Sequence, residues 1–60
     1  MNPKDLKSAQ TYSYKVLDQP PILIQYWYEQ LNYWSFTTVD EPRKIILLHS
    51  QHIKYNLQEI

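Results

Sequence analysis

The chain of 60 residues has no cysteine, no glycine, a single methionine, a single phenylalanine and no surplus of either charge. Without cysteine it cannot be stapled by disulfides or build a thiolate zinc site. Lack of cysteine fits a cytoplasmic protein, since disulfides belong to oxidising compartments. Without glycine, the two-residue hairpin turns that need positive φ lose their usual residue. Hairpins are therefore expected to use Asn, Asp or Pro in loops of about three to five residues. Six basic and six acidic residues cancel. Proteins that grip nucleic-acid phosphates usually carry a basic excess, because neutralising phosphates supplies their affinity. Neutrality also weakens repulsion between copies, which favours a homo-oligomer. The longest apolar runs, "ILI" and "IILL", fall far short of the roughly 20 residues that span a bilayer, so no membrane partner is expected. The opening "MNPKDLKSAQ" has no apolar run, so a secretory signal is not expected.

What is present is aromatic surface. Fifteen per cent of the residues are aromatic, six of them tyrosine. A chain of this size is one small domain, residues 1–60, and buries only about 60% of its unfolded surface. A core that small cannot hide six tyrosines, and exposed Tyr and Trp are favoured at protein interfaces. The densest segment is "YWYEQLNYW", residues 26–34, with five rings in nine positions.

Residues 1–10 form a polar leading segment, either disordered or a short helix capped by Asn2 with Pro3 at its first position. "TYSYKVLD" alternates, with Tyr12, Tyr14 and Val16 on one side, and predicts a half-buried strand over 12–17. "DQPP" stops it. The segment 21–34 has two readings. As a helix it gathers Leu23, Ile24, Trp27, Leu31 and Trp34 on one face. As a strand over 21–32 it sends Ile22, Ile24, Tyr26 and Tyr28 one way and Leu23, Gln25, Trp27 and Glu29 the other. The period favours helix; the Ile, Tyr and Trp content favours strand. "YWSFTTV" predicts a strand over 33–39 and "VDEPRK" a charged hairpin loop. "KIILLH" predicts a strand over 44–49 buried on both faces at its centre. "HIKYNL" alternates and predicts a strand over 52–57, with "QEI" loosely held.

The run "KIILLHSQHIKYN", strand, brief break, short strand, resembles the close of small barrels of the SH3 or Sm type, although the glycines of those families are absent. The fold class expected is mainly β, a small five-stranded SH3/Sm-like barrel. The alternative is α+β, one amphipathic helix at about 21–34 on a three- to four-stranded antiparallel sheet.

Chemistry is harder to find. His49 and His52 lie three apart, which suits a shared metal on a helix but not on a strand, and no third ligand is near in sequence. No metal or other cofactor is expected. Ser50 beside His49 is a sequence neighbour pair, whereas triads are built by spatial adjacency. A domain of this size hardly encloses a pocket of catalytic dimensions. The chain is thus expected not to be an enzyme.

Two binding readings follow from the rings. In the first, the protein is an interaction module, a small regulator or accessory subunit that meets a larger protein or its own copies. Tyr26, Tyr28 and Tyr33 are then the anchors and Arg43 and Lys44 the charged rim, with Ile24, Trp27, Leu31 and Trp34 as core. In the second, the rings stack bases of single-stranded RNA or DNA, with Lys15, Arg43, Lys44 and Lys54 on phosphates. No Lys or Arg lies between residues 16 and 42, which disfavours the second.

Overall fold

The computed structural model describes residues 1–60. Five strands form one antiparallel sheet: β1 (Thr11–Tyr14), β2 (Ile22–Gln30), β3 (Tyr33–Thr38), β4 (Ile45–His49) and β5 (Leu57–Glu59). Their order across the sheet is β4-β3-β2-β1-β5. A single helix, α1 (Ser50–Asn56), carries the chain from one edge strand to the other, and Pro3–Asp5 makes a 3-10 turn. That turn starts where Asn2 Oδ1 accepts the Lys4 N–H at 3.1 Å.

Across 21–34 the chain is β2, a turn at Leu31 and Asn32, and the start of β3, which overturns the helical alternative. Of the five residues a helix would have buried together, Leu23 and Trp27 are half exposed and Leu31 is 87% exposed. β-branched and aromatic side chains fit the pleat, where they pack across strands rather than against a preceding turn. The strand expected over 21–32 stops at Gln30, which pairs directly with Tyr33 and leaves Leu31 and Asn32 as the turn. So the glycine-free chain does make a two-residue hairpin, with Leu31 at φ 54° supplying the positive φ. For a leucine this backbone costs about 1–2 kcal/mol.

The expected strand over 52–57 is also corrected. Residues 50–56 are helical, and only Leu57 and the two residues after it form a strand, on β1. Ile53 and Leu57 lie four apart and are both buried, a spacing that suits one helical face as well as one strand face. His49 tips the balance as N-cap, its Nδ1 accepting the Gln51 N–H at 3.2 Å. The tail "QEI" is likewise tied down through Gln58 and Glu59.

The sheet does not close into a barrel; its edges are β4 and β5. With only three residues, β5 is fully engaged on β1. α1, about 10 Å long at 1.5 Å per residue, stands between the two edges instead of a shared ladder.

Eight residues are buried: Tyr12, Ile24, Tyr26, Trp34, Phe36, Leu48, Ile53 and Leu57. They occupy one face of the sheet, with Ile53 and Leu57 packed onto it by α1 and β5. The other face of the sheet has no element over it.

Candidate functional site

The uncovered face is built by parity. Residues paired across the ladder share a face, so the register assigns each side chain. Gln25 pairs with Thr37 and Thr37 with Ile45; Tyr28 pairs with Ser35 and Ser35 with Leu47; Tyr33 pairs with His49. These all lie opposite the core residues Ile24, Trp34, Phe36 and Leu48. The register slips between Tyr26 and Tyr28, which makes Trp27 a β-bulge. A bulge lets two neighbouring side chains reach the same side, and Trp27 joins Tyr28 on the outer face. Its indole Nε1 donates to Thr37 Oγ1 at 2.7 Å.

The bulge is pinned from outside the ladder. Ala9 N–H donates to Tyr26 C=O at 2.6 Å and Tyr26 N–H to Gln10 C=O at 3.2 Å. Ala9 holds φ 63° to do so. Gln25 Nε2 also donates to Ala9 C=O at 2.9 Å.

These assignments revise which aromatic residues are available. Tyr26, expected as an anchor, is a core residue, 8% exposed and tilted against Phe36 at 5.6 Å between ring centroids. Burial, then the Glu29 carboxylate, then Tyr12 and Tyr28 push its phenol above the ordinary tyrosine value. Trp27, expected in the core, is 47% exposed. Tyr28 and Tyr33 are 63% and 50% exposed on the outer face, and Tyr33 meets the His49 ring edge-on at 5.2 Å. Arg43 and Lys44 are exposed in the β3–β4 loop, a turn braced where Glu41 C=O accepts from Thr38 Oγ1 and from the Lys44 N–H. They are not gathered with the tyrosines: the length of β3, about 3.4 Å per residue, separates them from Tyr33.

Two residues that sequence reading missed complete the face. Ile45 and Leu47, expected inside a strand buried on both sides, are 68% and 66% exposed. "IILL" has no alternation, and in β4 only its even members meet the core.

The face carries two shallow hollows. One, of about 410 Å³, lies among Trp27, Thr37, Pro42 and Ile45; the other, of about 300 Å³, lies among Tyr28, Leu31, Tyr33 and Leu47. Ser35 lines both. No charge points from the strands into this surface. The only charged strand residues are Glu29 and Glu59, and they pair with the core residues Trp34 and Tyr12. A face of rings, aliphatics, Ser, Thr and Gln suits docking of an apolar or amphipathic partner surface.

No Ser, Thr or Tyr hydroxyl hydrogen-bonds to a histidine or a carboxylate; the hydroxyl bonds formed go to backbone groups and the Trp27 indole. His49 is engaged as a helix cap, and no three His, Asp or Glu residues come together as a metal site. No helix is long and apolar enough to cross a membrane. Neither family models, curated proteins nor solved structures match the chain.

Proposed function

We propose that the protein is a non-enzymatic interaction module whose outer sheet face, around Trp27, Tyr28, Tyr33 and Leu47, docks onto another protein surface. The observation that carries this reading is the uncharged, ring-bearing face on a domain with only eight buried residues. Thirteen large apolar or aromatic residues stay exposed, so the surface has more such side chains than the interior. Single exposed apolar residues need no explanation, but a contiguous set on one sheet face does. Leu31 adds support: an exposed, bulky side chain held at positive φ beside the hollow is strain of the kind kept at functional sites. Arg43 and Lys44 are rim charges, which tune association rate and orientation more than affinity. A cytoplasmic setting is part of this proposal, and the cysteine-free composition is consistent with it.

The test compares capture from cell extract by the wild type, by the Tyr28→Ser/Tyr33→Ser variant and by Tyr55→Ser, a control on α1 that is still more exposed than either. The expected result is a protein retained by wild type and control and lost, by about tenfold or more, from the double variant. Equal retention by all three would remove the reading. So would single-stranded oligonucleotide binding that weakens steeply with salt and depends on the same two tyrosines.

A further inference from the structure

Open sheets expose unpaired backbone at their edges, and proteins usually blunt both. This one blunts a single edge. β5 has three residues, bears Glu59, and its Leu57 C=O accepts from the N-terminal ammonium at 3.3 Å. β4 has five residues, "IILLH", with no Asp, Glu, Lys or Arg, no proline and no bulge.

The direction of its free groups follows from the ladder. Val39 N–H donates to Leu23 C=O, so odd residues of β3 face β2 and even ones face β4. Trp34 and Phe36 pair with Leu48 and Ile46, which turns the backbone N–H and C=O of Ile45 and Leu47, and the N–H of His49, off the edge. None of these groups bonds to a loop, cap or side chain.

We propose that β4 pairs antiparallel with β4 of a second copy about a two-fold axis at Leu47. This rests on the proposed function in that it joins two outer faces into one. The strand is self-complementary in this register. Leu47 exchanges both backbone bonds with its copy, and His49 N–H of each chain reaches Ile45 C=O of the other. Because paired residues share a face, Leu47 lies beside its copy and Ile45 beside His49 on the outer side, while Ile46 lies beside Leu48 on the inner. No like charges meet at the seam, and the zero net charge of each chain adds no repulsion. An isologous contact through the only open edge closes at two copies instead of propagating. The seam is smaller than the roughly 800 Å² per partner of a standard interface, so the dimer is weak.

The experiment is sedimentation equilibrium of the full chain over about 10 µM to 1 mM, the range suited to a weak pair. The expected result is a reversible shift from 7.3 kDa towards twice that mass. Leu47→Lys, at an exposed position whose N–H leaves the β3 ladder intact, should weaken the dimer about tenfold or more by facing two cations across the axis. The Tyr28→Ser/Tyr33→Ser variant should dimerise as the wild type does, separating this seam from the partner-binding reading. As a second readout, the lone thiol of Leu47→Cys should cross-link to its copy under mild oxidation, since paired Cα atoms about 5.5 Å apart allow a disulfide. A monomer throughout the range, a dimer indifferent to Leu47→Lys, or growth beyond two copies would overturn the proposal.

Discussion

Leu31 and Tyr26 show how much single positions decide in so small a fold. Leu31 closes the β2–β3 hairpin at φ 54° with its side chain in solvent. Replacing it with glycine removes the steric cost and adds chain entropy to the unfolded state, two opposing effects of similar size. Relief should win, and Leu31→Gly is expected to raise stability by about 0.5–1 kcal/mol in denaturant unfolding. A loss of stability would show that the side chain packs. Tyr26 gives a pH prediction. Burial favours its neutral phenol, so its folded pKa lies above the ordinary 10.0. Its contribution is therefore complete below 10.0 and is lost as pH rises through the raised folded value. The midpoint of denaturant unfolding, followed from neutral pH to above 10.0, should fall less steeply for Tyr26→Phe than for the wild type. Parallel slopes would mean that Tyr26 is not a source of the alkaline loss.

At the scale of elements, α1 is the test case. Seven residues are too few for an isolated helix, so its stability comes from the His49 cap and from Ile53 against the sheet. Ile53→Ala is expected to cost about 2–4 kcal/mol, enough to unfold much of the population, while His52→Ala on the exposed side stays within about 0.5 kcal/mol. Thermal unfolding of both variants checks this. The same element shows where sequence patterns run out. "HIKYNL" satisfies both periods, since Ile53 and Leu57 share a face in either, and the deciding contact is a histidine cap that only becomes visible with the backbone in place. β2 and β3 were legible as strands from their Ile, Tyr and Trp content. The bulge at Trp27 was not, because it depends on bonds from Ala9 and Gln10, more than a dozen residues away. That single slip moved Tyr28 to the outer face beside Trp27 and Glu29 to core-side parity, whereas Tyr26 and Trp27 keep the alternation set by Ile24 and Gln25. For β4, an unbroken apolar run conceals its parity, so an exposed Leu47 could not be told from a buried Leu48. Tyr28 and Tyr33 were legible as surface because six tyrosines exceed what the core can hold.

At the scale of the molecule, charge and shape separate cleanly. The Asp, Glu, Lys and Arg residues sit in loops, in the leading segment, on α1, or at strand positions of core-face parity, and the outer face keeps none of them, its one imidazole being His49. A partner bound there should hold on through buried apolar area, so its affinity should change little between low and physiological salt. Charge-driven binding would fall steeply over the same range.

The most direct measurement is an amide chemical-shift map of the isotope-labelled chain as the captured partner is added. Binding by the outer face predicts that the largest changes fall on Gln25, Trp27, Tyr28, Tyr33, Ser35 and Leu47, with Lys4, Leu6, Lys54 and Tyr55 unmoved. Changes concentrated on that second group, with the strand residues still, would place the partner on the opposite side of the sheet and contradict the account.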